Sequence, residues 1–296
     1  MSVFLQQIIN GLSVGAIYAL IALGYTMVYG VLRFINFAHS DVFMVGAYVG
    51  FFLAPRFAER TLLGGFLILL LAMLICAVLG IAIERFAYRP LRGSSKLNVL
   101  ITAIGVSLLL ENSAQVFWHA SPRSFPPIFP RTTFHLGGIV ISSNQIAVLS
   151  ITLLLLVGLQ LLVMKTKMGK AMRAVSFNPA AASLVGINND AVISFTFGLG
   201  SALAAAGGIL FAVYYGSIQP LMGVMPGLKA FVAAVLGGIG NIPGAALGGL
   251  ILGLVETFVK GSAWSTFSDA IAFAVLIIIL VFKPAGLLGK LQVEKV

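Results

Sequence analysis

Long apolar stretches recur along the whole chain and are separated by short polar connections. A helix crosses the hydrocarbon core of a membrane with about 20 mostly apolar residues, because it satisfies its own backbone hydrogen bonds. By that criterion the sequence predicts clear spans at about 8–30, 62–84, 97–118, 145–164, 190–215 and 266–283. The pattern therefore predicts an all-α, polytopic membrane protein.

Two further apolar segments do not fit a simple span. Residues 39–54 are short and begin with polar side chains, and 228–259 is long and interrupted by GGIGNIPG at 237–244. Membranes tolerate such segments where protein or a water-filled cavity satisfies the freed backbone groups. We therefore expect about eight apolar segments, of which one or two are broken or re-entrant.

A possible internal repeat involves the same two segments. GLSVGAIYALIALGYTMVYG precedes the short segment 39–54, and the similar FGLGSALAAAGGILFAVYYG precedes the interrupted segment 228–259. Paired short or interrupted segments in two halves of a chain indicate a binding or translocation site near the midplane of the membrane. The alternative is a chance similarity between two helices that are rich in small residues.

Composition supports a single membrane domain. Hydrophobic residues make up 60% of the chain and charged residues only 9%, far from the values of ordinary globular domains. No polar block is large enough to form a second core, so residues 1–296 are predicted to form one domain. The first 30 residues have no basic leader and no clear cleavage site, so the first apolar run is expected to persist as a span.

Basic residues predict which side of the membrane each connection faces. They form three groups: Arg85, Arg89, Arg92 and Lys96; Lys165, Lys167, Lys170 and Arg173; and Lys283, Lys290 and Lys295. By the positive-inside rule all three groups are cytoplasmic, which places 119–143 outside. Segment 228–259 must then cross an even number of times, which favours two half-helices hinged at GGIGNIPG. The N-terminus is extracytoplasmic if 39–54 crosses and cytoplasmic if that segment re-enters.

Several function classes have no support in the sequence. The net charge is +10, but the basic residues fall in short groups with no aromatic-interleaved face, so no nucleic-acid partner is expected. Phosphate-binding loops, zinc-protease motifs and paired carboxylates are missing from the sequence. With three histidines and one cysteine, a metal site is not expected either. We predict no enzyme activity, no catalytic residue and no cofactor bound by this chain.

Polar residues inside apolar segments are the candidates for a translocation pathway. Such residues are costly in a membrane, so each implies a function or an interhelical hydrogen bond. The candidates in the first half of the chain are Asn36, His39, Glu111, Asn112 and Gln115. The interruption adds Gly237, Gly238, Gly240 and Asn241, whose residue types favour an unwound backbone that could line a route.

The stretch RAVSFNPAAASLVGINND at 173–190 is polar, and it has the start and stop signals of a short helix in water. Asn178 is a good N-cap, Pro179 suits the first helical position, and Gly186 is typical just past a helix end. The charge pattern places this helix on the cytoplasmic side, between two spans. It is predicted to be a docking element within a cytoplasmic loop at 165–189, or else an interfacial linker helix without a partner.

Three motifs together resemble a known family. GLSVGAIYALIALGYTMVYGVLRFINFAHSDVFMVGAY, ERFAYRPLRGSSKLNVLITAIGVSLLLEN and GLKAFVAAVLGGIGNIPGAALGGLILGLVE are similar to the permeases of bacterial branched-chain amino-acid ABC importers of the LivH type. The resemblance implies a multi-pass inner-membrane subunit that pairs with a homologous second permease. It also implies two cytoplasmic ATP-binding subunits, a periplasmic solute-binding protein and surrounding membrane lipid as partners.

The resemblance also assigns a role to the polar loop. Permeases of ABC importers commonly contact the ATPase through an E-A-A-x-x-x-G pattern, and AAASLVG has that spacing with alanine in place of the glutamate. The implied coupling residues are Arg173, Asn178, Pro179, Ala180, Ala181, Ala182 and Gly186. Similar permeases serve urea and other amides. A rival from another class is an ion-coupled carrier in which Glu111 or Asp41 binds the coupling ion.

Overall fold

The computed structural model describes residues 2–57 and 61–289, which are almost entirely helical. Within these ranges seven helices are long and apolar enough to cross a membrane, and one further apolar helix is shorter. The helices of this part of the chain are α1 (Ser2–Leu32), α2 (His39–Leu53), α3 (Leu62–Ile83), α4 (Lys96–Trp118), α5 (Ser143–Lys165), α6 (Lys167–Phe177), α7 (Pro179–Leu184), α8 (Asn189–Tyr215), α9 (Val224–Gly237), α10 (Ile242–Lys260) and α11 (Ser268–Phe282). The predicted polytopic helical fold is confirmed.

Side-chain caps explain where many of these helices begin. Thr61, Asn188 and Asn241 each accept a hydrogen bond from a backbone N–H in the first turn of the helix that follows. Ser142 and Gln145 form a complete capping box at the start of α5. These side chains satisfy amides that would otherwise lack a partner at a helix start. The helix boundaries accordingly fall close to those that the sequence predicts.

One end of the helix bundle carries the connection between α4 and α5, and we call it the hairpin end. Here β2 (Thr133–Leu136) and β3 (Ile139–Ser142) form an antiparallel hairpin, and β1 (Arg123–Ser124) pairs with β4 (Ser217–Ile218). The Gln6 side chain donates to the carbonyl of Val140 at 3.0 Å and accepts from its N–H at 2.9 Å. The start of α1 therefore lies at the hairpin end.

The opposite end, which we call the basic end, carries the basic residues of the α3–α4 connection, of the α5–α6 connection and of the segment after α11. Arg89 pairs with Asp190 at the start of α8, and Ser176 on α6 donates to the carbonyl of Gly30 near the end of α1. Lys283 follows α11 at this end, where Leu288 donates to Gly237 at 3.0 Å. Lys290 and Lys295 lie outside the described residues. By the positive-inside rule we expect this end to be cytoplasmic and the N-terminus to be extracytoplasmic.

The first short segment begins inside the bundle. After α1 the chain turns at Arg33 and runs without helix through residues 34–38. His39, the first residue of α2, lies 3.2 Å from the carbonyl of Ile21, in the interior of α1. Further along α2, Gly50 packs against Phe125 at the hairpin end. Residues 33–53 therefore cross the bundle together, and the alternative in which 39–54 re-enters is wrong.

The second irregular segment is a helical hairpin. Helix α9 (14 residues) runs toward the basic end and α10 (19 residues) returns. The turn between them uses Gly238 and Gly240 in left-handed conformations, with φ of 102° and 91°, which glycine adopts at little cost. The segment therefore runs to the basic end and back, and the even number of membrane crossings stays a prediction. The expectation of two half-helices is wrong for α10, because α10 is long enough to span a membrane. The interruption lies at the basic end, before α10 begins, and therefore leaves this helix whole.

The two halves of the chain form an inverted repeat. Helix α1 runs from the hairpin end to the basic end, and α8 runs the other way. Each is followed by a short helix, α2 or α9, and then by a long one, α3 or α10. Helix α1 packs on α10 as α8 packs on α3. The starts of the two short helices meet, because Gly223 and Gly227 lie against Ser40. The similarity between the two sequence stretches therefore has a structural counterpart.

Candidate functional site

The predicted loop helix is present at the basic end. Asn178 accepts a hydrogen bond from the N–H of Ala181 at 3.0 Å, and Pro179 is the first helical residue. Gly186 closes the helix with a φ of 84°, and the next N–H, of Ile187, donates back to Ala182 at 3.0 Å. These contacts fix α7 as a rigid element between α6 and α8. The polar stretch of the sequence therefore forms the capped helix that Asn178, Pro179 and Gly186 predict.

The tip of this loop presents apolar side chains away from the spans. Phe177, Leu184 and Val185 are exposed to 90%, 88% and 76%, and we call these three residues the loop tip. Ala180 and Ala181 are exposed beside them, whereas Ala182 is buried. Contiguous exposed apolar side chains outside a membrane-spanning segment are typical of a protein contact.

Arg173 does not lie with the other predicted coupling residues. It belongs to α6, and its guanidinium donates to the carbonyl of Val163 at the end of α5. It therefore joins α6 to α5. The other coupling candidates, 178–182 and Gly186, belong to α7 and its two ends.

An ion-pair network links the loop to the rest of the bundle. Asp190 at the start of α8 pairs with Arg89 and Arg92, and Arg92 also pairs with the fully buried Glu84. Ser194, one turn further along α8, donates to Glu84 as well. We call Glu84, Arg89, Arg92, Asp190 and Ser194 the arginine network. Any displacement of α7 that moves the start of α8 therefore also moves the connection between α3 and α4.

The sequence offered only a weak signal for this network. Its arginines were interpreted as topology-determining charges, and Glu84 directly follows the apolar run of α3. The glutamate reaches Arg92 because residues Glu84–Tyr88 form one wide π turn, a feature that is common at functional sites and has no simple sequence signature. A carboxylate at the end of an apolar run, eight residues before an arginine, was the available clue.

Several of the predicted pathway residues meet in the interior. Asn36 accepts a hydrogen bond from the Tyr88 hydroxyl at 2.6 Å, and His39 lies against α1. The first turn of α2 also carries Asp41, which is 1% exposed and accepts from Ser107 of α4 at 2.5 Å. Glu111, one turn further along α4, lies near the Asp41 carboxyl group. Two acidic side chains are therefore neighbours between α2 and α4.

The remaining pathway candidates lie elsewhere. Asn112 is exposed and donates to the carbonyl of Leu108 in its own helix, and Gln115 donates to the carbonyl of Glu111. Asn241 caps α10 and donates to Leu288 at 2.8 Å. Gly237, Gly238 and Gly240 form the α9–α10 turn at the basic end. The interior group and this turn are therefore separate features.

A second buried ion-pair network lies at the hairpin end. Lys229 of α9 is 2.8 Å from Glu256 of α10 and 2.6 Å from Asp269 of α11. Lys260 also pairs with Glu256, at 2.5 Å. The Tyr18 hydroxyl of α1 donates a hydrogen bond to Glu256 at 2.8 Å. Sequence reasoning missed Lys229, although it lies within the third family motif.

No group of three or more His, Cys, Asp or Glu side chains is arranged to hold a metal ion within residues 2–57 and 61–289. The interior polar residues are bound to one another across helices. Chemically the arrangement can bind, transmit movement and conduct a solute, and it offers no nucleophile activated by a neighbouring base in the described residues.

Comparison with known proteins gives matches along nearly the whole chain. The profile of a family described as "Branched-chain amino acid transport system / permease component" matches residues 7–280. The high-affinity branched-chain amino acid transport system permease protein BraD of Pseudomonas aeruginosa is 43% identical, over 99% of this chain and 98% of BraD. The corresponding LivH protein of Escherichia coli is 42% identical over the same shares. A probable LivH of Methanocaldococcus jannaschii is 29% identical, over 91% of this chain and 88% of that protein.

Proposed function

Because the chain belongs to the family of branched-chain amino acid transport permease components, we propose that it is the membrane-spanning permease subunit of an ABC importer for leucine, isoleucine and valine. The observation that carries the mechanism is the capped helix α7 with its exposed loop tip at the basic end. A chain without a phosphate-binding loop needs such a contact with an ATPase subunit to couple its movement to ATP hydrolysis.

The proposed assembly follows from the family and from the two ends of the bundle. Two cytoplasmic ATP-binding subunits dock at the basic end, with the loop tip as one contact, and ATP binds to those subunits only. A solute-binding protein docks at the hairpin end, and a second, homologous permease completes the membrane part. The complex is a multi-pass assembly of the bacterial inner membrane. The permease itself catalyses no covalent reaction.

Alternating access is the proposed mechanism. Closure of the ATPases displaces α7, and Asn189 at the start of α8 is tied to α7 through its hydrogen bond to Pro179 at 2.8 Å. The arginine network then carries this displacement to α3 and α4. Because the repeat is inverted, a tilt of α8 and α3 against α1 and α10 exposes opposite ends in turn.

The loop tip supplies a direct test of the docking role. We expect Leu184→Asp to reduce the amount of ATPase that co-purifies with the permease roughly tenfold or more, because a charge is desolvated in an apolar contact. Leucine uptake should fall in parallel. Since Leu184 is 88% exposed, the fold should be unaffected, and Leu184→Met should behave as the native protein does. The measurements are pull-down in mild detergent and uptake of labelled leucine.

A second pair of variants tests the shape of the loop. Asn178→Ala combined with Pro179→Gly removes the cap and the rigid start of α7 and should weaken ATPase binding. Thr61→Ala removes an equivalent cap at the hairpin end and should leave ATPase binding intact. Undiminished ATPase binding and uptake in both the loop variant and Leu184→Asp would exclude α7 as the coupling element.

One competing function is an ion-coupled carrier, because Asp41 and Glu111 are neighbouring acidic side chains inside the bundle, and such residues are typical of proton pathways. We expect ATP depletion at a maintained proton gradient to abolish uptake, as an ABC importer requires. Loss of uptake with an uncoupler at constant ATP would favour the carrier instead. Competition of labelled leucine by valine and isoleucine, and not by urea, would identify the substrate class.

Glu111 itself can be tested with two substitutions. Glu111→Gln keeps a polar side chain of nearly the same size beside Asp41, so leucine uptake should stay near the native rate. Glu111→Leu leaves Asp41 with Ser107 as its remaining side-chain partner in the described residues and should lower uptake roughly tenfold at equal expression. Equal uptake by the two variants would remove Glu111 from the pathway.

A further inference from the structure

A cavity of about 910 Å³ opens at the basic end, apart from the loop tip and from both ion-pair networks. Its walls are the end of α1, the ends of α5 and α6, the turn between α9 and α10, and residues 284–289 after α11. The polar side chains that line it are Tyr29, Arg33, Gln160, Arg173, Ser176 and Asn241. Apolar side chains such as Val163, Val235 and Ile239 form the remaining wall.

Within the described residues, the lining of the cavity carries positive charge and no acidic side chain. Both Arg33 and Arg173 line it, and none of its lining residues is acidic. Neither arginine is paired with a carboxylate in the part of the chain that the structure describes. Arg173 donates to the carbonyl of Val163, and a guanidinium has five N–H donors. Two such groups form a site for a phosphate or carboxylate oxyanion.

The backbone of Arg33 adds a second, independent observation. Its φ is 55°, in the left-handed region, and its N–H donates to the carbonyl of Tyr29 at 2.8 Å to close α1. This helix-closing position ordinarily holds glycine, because a side chain there is strained. An arginine at the cavity rim therefore costs stability that a glycine would not, and such costs are typical of ligand sites.

We propose that this cavity binds an anionic phospholipid of the cytoplasmic leaflet. The phosphate lies between Arg33 and Arg173, with the Tyr29 hydroxyl and the second amide N–H of Asn241 as further donors, and the acyl chains follow the apolar wall. The ends of the spans α1 and α5 place the cavity at the depth of lipid headgroups. A wall that is both cationic and apolar fits a lipid better than free phosphate, and the volume is far larger than one amino acid requires.

The test uses the full-length protein, purified and stripped of lipid in detergent. Native mass spectrometry measures the apparent Kd for phosphatidylglycerol and phosphatidylcholine. We expect saturable binding of phosphatidylglycerol alone. Arg33→Gln and Arg173→Gln should each weaken it roughly tenfold, the loss of one charged hydrogen bond. Lys170→Gln is the matched control, because it removes the same charge from α6 outside the cavity and should leave the Kd within about twofold.

Arg33→Gly separates a binding role from a structural one. Glycine relieves the backbone strain, so the lipid-free thermal stability should equal or exceed that of the native protein, while phosphatidylglycerol binding falls as for Arg33→Gln. Equal binding of phosphatidylcholine, unchanged binding by Arg33→Gly, or displacement of the lipid by millimolar inorganic phosphate or leucine would overturn the proposal. Displacement by inorganic phosphate would assign the cavity to free phosphate, and displacement by leucine would assign it to the transported solute.

Discussion

Lys229→Met is expected to destabilise the folded permease by about 3–5 kcal/mol, the cost of breaking a buried ion pair from one side. Lys229 is 5% exposed and lies between Glu256 and Asp269, so it joins α9 to both α10 and α11. Methionine has a similar shape but leaves the carboxylate of Glu256, which is 1% exposed, with less positive charge beside it. The measurement is the apparent unfolding temperature in detergent, which should fall well below that of the native protein.

The same network supplies the control and the rescue. Lys260 also pairs with Glu256, but its side chain is 49% exposed, so Lys260→Met should cost no more than about 1 kcal/mol. Adding Glu256→Gln to Lys229→Met removes the buried carboxylate that has lost its buried partner and should recover much of the lost stability. If Lys229→Met and Lys260→Met unfold at the same temperature, the buried pair does not hold these helices together.

Gly253→Leu is expected to have a comparably large effect, because α1 and α10 touch backbone to backbone. A Cβ on Gly253 would collide with the backbone of Gly15, and one on Gly15 would come within 2.8 Å of the Cα of Leu250. Gly11 and Gly15 face Gly249 and Gly253, with four-residue spacing on each helix, a close-approach pattern of membrane helices. A leucine there must separate the helices, at about 3 kcal/mol or more.

Gly158→Leu is the matched control, since a Cβ on Gly158 of α5 would meet nothing within 4 Å. A leucine there faces outward from the described bundle and should leave the unfolding temperature unchanged. Monodisperse elution after solubilisation gives the readout for both variants. A well-folded Gly253→Leu protein would show that the α1–α10 contact tolerates separation.

The spans themselves were predictable because each depends on local sequence. Residues 97–118 and 190–215 were predicted and α4 and α8 agree closely, since a run of apolar residues and a cap determine both ends of a helix. The start of α1 was missed by several residues. Gln6 and Gln7 appear too polar for a span, but Gln6 is bonded to Val140 across the hairpin end, a contact that spacing in the sequence does not reveal.

The candidate site was predictable only in part. The shape of α7 follows from Asn178, Pro179 and Gly186, all of which act locally. The arginine network joins Glu84 and Arg92 to Asp190, about a hundred residues along the chain, and the Lys229 network joins three helices. The partner of Glu111 is Asp41, from a different helix. Such pairs depend on how helices are placed, so one sequence without coordinates does not identify them.

The sequence by itself determined the membrane class, most of the helices and the family, because hydropathy and caps are local properties and motifs are read directly. Only the tertiary structure decided that residues 33–53 cross together, that the two halves form an inverted repeat, and that Arg33 and Arg173 share one cavity. The physical reason is the same in each case. Close packing of glycine-lined helices brings distant parts of the chain together, and it depends on the shapes of all the helices at once.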